Sequence, residues 1–219
     1  MEGRKIKAVV FDLDGTLLDT LEDLCNATNW ALRHNGLPER TLDEVRTFVG
    51  NGVRRLIERA VPRGTGATQL ERVFADFKAY YVDHCQEFTC LYDGVAELLR
   101  RLKEAGLRLA IVSNKLQAGV DELYTRYFSD SVEVAVGERQ GVARKPQPDM
   151  VRIALDALGV KAEDAVYVGD SDVDLMTARN SGLPCISVLW GFRDKDFLVA
   201  HGATCLVERP EEITNLLTC

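Results

Sequence analysis

The chain has 219 residues, 46% of them hydrophobic and 28% charged, and carries a net charge of −7. That length allows one large domain or two smaller ones around a sizeable core. The acidic balance argues against a nucleic-acid or anionic-membrane surface, and no apolar stretch reaches membrane-spanning length. The opening Met1-Glu2-Gly3-Arg4-Lys5 lacks the apolar core of a signal peptide. Cys25, Cys85, Cys90, Cys185, Cys205 and Cys219 show no paired spacing and no C-x-x-C, so they read as reduced thiols of a cytoplasmic protein. His34, His84 and His201 are too scattered for a zinc cluster.

In chain order, the first element is a strand at about Lys7–Asp12, a β-rich apolar run that stops at Asp12-Leu13-Asp14-Gly15-Thr16. Side chains two apart on a strand share a side, so Asp12 and Asp14 are expected to converge where the strand ends. Residues 18–90 follow with helical patterns only. Leu21, Leu24, Cys25, Thr28 and Leu32 mark one face, with Gly36 and Pro38 as its stop. Thr41 with Glu44 and Thr68 with Glu71 read as capping boxes of later helices. From about residue 91, helices alternate with strands at Leu109–Val112, Val132–Val136, Ala165–Val168 and Cys185–Leu189, and a weaker strand and helix close the chain. Such alternation predicts an α/β fold with a doubly wound parallel sheet, residues 1–17 and 91–219 forming the core and 18–90 a small helical domain inserted after the first strand.

Right-handed crossovers place every strand-to-helix loop on one sheet edge, where ligands bind. Ser113-Asn114-Lys115, Arg144-Lys145-Pro146 and Gly169-Asp170-Ser171-Asp172-Val173-Asp174 arrive there beside Asp12 and Asp14. Taken singly, Ser113 reads as a helix cap, Lys145 as a solvated lysine and Asp19 as a helix cap. As a set they read differently. Asp12, Asp14 and Asp170 are hard oxygen ligands suited to Mg²⁺, while Lys145 and the Ser113 and Asn114 region offer charge and donors to phosphate oxygens. A carboxylate at such a site can act as nucleophile and form an aspartyl-phosphate.

Read in order, Asp12-Leu13-Asp14-Gly15-Thr16, Ser113-Asn114, Lys145-Pro146 and Gly169-Asp170-Ser171 with Asp174 resemble the four motifs of the haloacid-dehalogenase-like phosphatases. The resemblance implies Asp12 as nucleophile and Asp14 as proton donor and then base. Asp12, the Asp14 backbone carbonyl and Asp170 would bind Mg²⁺. Thr16, Ser113, Asn114 and Lys145 would bind phosphate, with Asp174 and Ser171 as outer support of the metal. It also implies that residues 18–90 are a helical cap that closes to exclude water. Val49-Gly50-Asn51-Gly52-Val53-Arg54 resembles the cap segment of phosphoglycolate phosphatases and makes Asn51, Gly52 and Arg54 specificity residues, Arg54 as an anchor for a substrate carboxylate. Trp190-Gly191-Phe192-Arg193 is similar to the same group and to related pyrophosphatases.

Departures narrow the choice. Thr20 stands where mutase relatives carry a histidine, Lys78 reads as a surface residue of a long helix rather than a Schiff-base lysine, and Asp14 separates the chain from the dehalogenase branch. The expected partner is a small phosphorylated anionic metabolite, phosphoglycolate first, acted on by a monomer or homodimer. Hydrolysis of pyrophosphate, a sugar phosphate or a nucleotide is the alternative. A receiver domain and an inactive binding module are the non-enzyme readings. A receiver lacks a helical insertion after strand one, and an inactive module is free to lose Asp12, Asp14, Lys145 and Asp170.

Overall fold

The computed structural model describes residues 6–218, so the readings on Met1–Lys5 and Cys219 fall outside it. The chain forms two compact units, Met1–Leu17 with Leu91–Cys219, and Leu18–Cys90. The elements run β1 (Ala8–Phe11), β2 (Leu18–Asp19), α1 (Leu21–His34), α2 (Leu42–Phe48), α3 (Val53–Ala60), α4 (Ala67–His84) and β3 (Cys90–Leu91). Next come α5 (Val95–Glu104), β4 (Arg108–Leu116), α6 (Gln117–Tyr127), β5 (Val134–Glu138) and α7 (Asp149–Leu158). The chain ends with β6 (Ala165–Gly169), α8 (Asp172–Ser181), β7 (Cys185–Val188), α9 (Lys195–Ala200), β8 (Leu206–Val207) and α10 (Pro210–Thr218).

In the larger unit six parallel strands lie in the order β5-β4-β1-β6-β7-β8. Ala8, Val10, Ala110, Val112, Ala165 and Tyr167 pack into one cluster with Met150, Val151, Ala154, Leu155 and Leu158 of α7. Val9, Phe11, Leu109, Ile111, Val166 and Val168 alternate with them and are equally buried. Both sheet faces are therefore covered, which is why these strands read as unbroken apolar runs. Gly159 and Gly182 end α7 and α8 in left-handed backbone.

The smaller unit packs α1 on α4, and α2 and α3 in sequence between them. Leu24, Ala27, Ala31, Val45, Leu56, Ile57, Val73 and Phe77 form its interior. Asp23, inside α1 and 2% exposed, accepts from Phe88 N, Thr89 N and Thr89 Oγ1. This carboxylate ties the beginning of the unit to its end. The Thr41–Glu44 capping box is present. The second one is not: α4 starts at Ala67, so Thr68 lies inside it, and Glu71 turns to Arg54 instead. Ser113 caps no helix, because β4 continues to Leu116 and α6 begins only at Gln117. α9 is an additional short helix that the sequence pattern did not resolve. Cys25, Cys85, Cys90, Cys185 and Cys205 are free thiols. No helix among the described residues is long and apolar enough to cross a membrane.

Candidate active site

β1 stops at Phe11, which pairs with Ile111 of β4 and Val168 of β6. One residue further along the three strands stand Asp12, Val112 and Gly169. The segments that follow β1, extend β4 and follow β6 therefore open on one edge of the sheet, the place where ligands bind in open parallel sheets.

Asp12 Oδ1 accepts from the Leu13 N–H at 2.7 Å and faces Lys145 Nζ at 2.7 Å. Lys145 also donates to Asp174 Oδ1 at 2.9 Å and to the Tyr167 hydroxyl at 3.2 Å, so all three of its N–H groups have acceptors. Tyr167 in turn donates to Asp174 Oδ1 at 3.1 Å. The other oxygen of Asp174 takes the Ser171 N–H at 3.1 Å and the Ser171 hydroxyl at 2.6 Å. Asp174 is fully buried and committed to four donors, which suits a group that orients others rather than one that binds a ligand directly. Burial pulls the Lys145 ammonium down, but Asp12 and Asp174 outweigh it and hold the proton more tightly than in an ordinary lysine.

Asp170 completes the cluster. It accepts from Phe192 N at 2.7 Å and from Thr16 Oγ1 at 3.3 Å. Oxygens of Asp12, Asp170 and Asp174 lie within 4.8 Å of one another. With all three ionised, these carboxylates against the single ammonium of Lys145 would leave two negative charges in a buried space. Burial and the Asp174 charge push Asp170 up to about 7 despite the Phe192 N–H and Arg193. The same two causes raise Asp12 well above the ordinary aspartate range, against Lys145. Hard oxygen donors whose ionised form is disfavoured until a positive charge arrives fit a divalent cation. Gly191 keeps this space small: a Cβ there would stand 2.4 Å from Asp170 Cβ and 2.3 Å from the Gly15 carbonyl oxygen.

The Asp14 carboxylate stands outside the cluster and has its own cation, Lys115, whose Nζ is 2.9 Å from Oδ1. The three other residues expected at phosphate have bonds within the protein. Ser113 Oγ accepts the Lys115 N–H at 3.1 Å, and Thr16 donates to Asp170. Asn114 clamps the backbone of Lys145, accepting its N–H at 2.9 Å and donating to its carbonyl at 3.2 Å. Buried polar groups need partners, and these residues find them in one another. The core residues singled out in the sequence thus all meet at one edge. Tyr167 is an additional member, and Lys115, already placed at this edge by the sequence, is the partner of Asp14. A tyrosine inside a wholly buried strand requires a partner for its hydroxyl, and that requirement was the available signal for Tyr167.

Asn51, Gly52 and Arg54 belong to the other unit. Gly50 and Gly52 have positive φ and form the turn between α2 and α3. Arg54 donates to both oxygens of Glu71 at 2.8 and 2.6 Å and to Glu58 at 3.1 Å, above the Phe74 ring. Asn51 Oδ1 accepts from Arg59. Lys78 is exposed and lies over Phe74.

Comparison with known proteins adds to this geometry. A model of the family described as haloacid dehalogenase-like hydrolase matches residues 9–188. The chain is 34% identical over 209 residues to a phosphoglycolate phosphatase of Xanthomonas campestris pv. campestris, covering 94% of each chain. It is 30% identical over 219 residues to an N-acetylmuramic acid 6-phosphate phosphatase of Pseudomonas aeruginosa, covering 99% of this chain and 97% of that one. A crystal structure from Lactobacillus delbrueckii subsp. bulgaricus superimposes with a TM-score of 0.94 at 37% identity, covering 98% of this chain and 99% of that one. With family, relatives and fold in agreement, the chain belongs to the haloacid dehalogenase-like hydrolases and is a phosphoric monoester hydrolase among them.

Proposed function

We propose that the chain is a Mg²⁺-dependent phosphatase that hydrolyses phosphoglycolate through an aspartyl-phosphate. The observation that carries this reading is the Asp12 carboxylate held by Lys145 beside Asp170 and Asp174. The Leu13 N–H and the Lys145 ammonium both meet Oδ1, so Oδ2 is the oxygen assigned to the attack. Asp12 and Asp170 would hold the cation, and Asp174 fixes Lys145 beside Asp12. When bound, Mg²⁺ neutralises charge on the transferring phosphoryl group. Asp12 attacks phosphorus, the ester P–O bond breaks, and the leaving oxygen takes its proton from Asp14. A water then attacks the aspartyl-phosphate and gives its proton to Asp14, the bond to Asp12 breaks, and inorganic phosphate leaves. Lys145 offsets the negative charge that gathers on Asp12 and the phosphoryl oxygens. The inserted helical unit serves as the cap that limits which leaving groups enter, and the reduced thiols suit a cytoplasmic enzyme.

The test is phosphate release from phosphoglycolate with and without Mg²⁺, in the wild type and in Asp12→Asn. Release that requires the cation and disappears in Asp12→Asn is expected. Undiminished turnover in that variant overturns the nucleophile. The relative named for N-acetylmuramic acid 6-phosphate favours a second reading, a phosphatase of a larger sugar acid. A kcat/KM for that ester well above the value for phosphoglycolate would establish it.

A further inference from the structure

Tyr167 is fully buried in β6, between Val10 of β1 and Cys185 of β7. It belongs to the apolar cluster that includes Met150, Val151 and Ala154 of α7. Packing there asks for a ring and not for a hydroxyl. The hydroxyl is nevertheless bonded twice, donating to Asp174 Oδ1 at 3.1 Å and accepting from Lys145 Nζ at 3.2 Å. Gly169, two residues further along the same strand, makes room for this contact. A Cβ there would stand 2.4 Å from Asp174 Cβ and Cγ, so only glycine lets Asp174 lie against the strand end beside the phenol. The Lys145 ammonium is also 5.8 Å from the centroid of the Tyr167 ring. Asn114 holds the other end of the same lysine through its N–H and its carbonyl.

We propose that Tyr167 is a positioning residue for the second half of the reaction: its hydroxyl fixes the Lys145 ammonium on Asp12 Oδ1, in place for the negative charge that returns to Asp12 when the aspartyl-phosphate is hydrolysed. The inference rests on the reading of Asp12 as nucleophile. The N–H groups of an ammonium stand at tetrahedral angles, so an acceptor on each leaves it one orientation. Asp12 meets it at 2.7 Å, Asp174 at 2.9 Å and Tyr167 at 3.2 Å. In the first step charge leaves the Asp12 carboxylate for the phosphoryl group. A cation on Oδ1 then stabilises the starting carboxylate more than the transition state and does not speed the attack. In the second step the oxygen of water bonds to phosphorus and the bond from phosphorus to Asp12 breaks. The electron pair of that bond returns to Asp12, and the proton of the water passes to Asp14. Charge now grows on Asp12, and an ammonium already in place stabilises it without reorganisation. Without the hydroxyl, a buried N–H of Lys145 loses its acceptor and Asp174 Oδ1 loses a donor, so the ammonium turns from Asp12 in search of another partner.

The experiment follows hydrolysis of p-nitrophenyl phosphate with saturating Mg²⁺ by the wild type, Tyr167→Phe, Tyr124→Phe and Asp12→Asn, each rate counted per folded chain. Tyr167→Phe keeps the ring and with it the packing. Its kcat is expected to fall by about 10- to 100-fold. KM should fall with it, so that kcat/KM stays within about threefold of the wild type, and acid quenching should trap most chains phosphorylated on Asp12. Tyr124→Phe removes a hydroxyl bonded to the Val132 carbonyl at 2.9 Å and is expected to keep both constants. An unchanged kcat in Tyr167→Phe overturns the inference. So does a lower kcat/KM with no gain of phosphorylated chain, since that is the mark of a structural role, and so does an equal kinetic change in Tyr124→Phe. Asp12→Asn separates the two levels. Turnover that survives in Asp12→Asn overturns the nucleophile and this inference with it. Turnover lost in Asp12→Asn, beside a Tyr167→Phe enzyme that accumulates no phosphorylated chain, overturns this inference alone.

Discussion

Asp12, Asp170 and Lys145 show how single residues divide the labour of the site. A carboxyl in a dry cluster holds its proton unless a cation replaces it, so Asp170 rises from the ordinary 3.8 to about 7. The folded, metal-free chain therefore binds more protons than the unfolded chain between those values. It loses that stabilising contribution as pH rises through about 7. Cation binding has the opposite dependence, because the ion competes with the proton for the same oxygens. The melting-temperature increase caused by Mg²⁺ is expected to be larger at pH 8 than at pH 6, and an increase that shrinks over that interval would contradict the assignment. Lys145→Met should leave Asp12 and Asp174 facing each other uncompensated. Removing one partner of a buried ion pair costs about 3–5 kcal/mol, readable as a lower urea midpoint, and phosphatase activity should vanish as well.

At the level of elements, the N-terminus of α8 couples a helix cap to the carboxylate cluster. Ser171 and Asp174 form a reciprocal capping box, and the same Asp174 carboxylate holds Lys145 and Tyr167. Ser171→Ala removes the cap at a cost of about 1 kcal/mol. Unlike an ordinary cap deletion, it also removes the shorter of the two Ser171 donors to an oxygen of Asp174, so Mg²⁺ affinity should fall by about 10- to 100-fold. Thr41→Ala, which deletes the box of α2, supplies the control: a comparable loss of stability with Mg²⁺ affinity kept. Isothermal titration of both variants decides the matter, and equal affinities would show the α8 box to be structural only.

For the molecule as a whole, the division into two units makes the smaller one separately vulnerable. Its ends are knitted by Asp23, which satisfies Phe88 N and Thr89. Asp23→Ala removes the acceptor shared by the Phe88 and Thr89 N–H groups, at about 1–3 kcal/mol. Hydrogen exchange should quicken across Leu18–Cys90 while Ala8–Phe11 and Ala165–Gly169 keep their protection. Equal acceleration in the sheet would mean that the two units unfold together.

Much of this was legible in the sequence, and for an identifiable reason. Parallel strands buried on both faces are unbroken apolar runs, so β1, β6 and β7 announced themselves, and glycines past the ends of α7 and α8 marked where those helices stop. Strand order and loop placement then brought Asp12, Asp14, Lys145, Asp170 and Asp174 to one edge on paper. The sequence by itself determined the order of the principal core strands and helices, the inserted helical segment and the residue types that gather at that edge, because these depend on local periodicity and on the fixed handedness of crossovers, though not α9 or the short strands β2 and β3. Only the tertiary structure decided which oxygen meets which nitrogen. It gave Asp14 to Lys115, turned Asn114 to the Lys145 backbone, carried β4 on through Ser113 and engaged Arg54 with Glu58 and Glu71. Apart from Arg54–Glu58, four positions apart, these pairings join residues 17 to 101 positions apart, and the need to satisfy polar and charged groups selects them only once packing has fixed the distances.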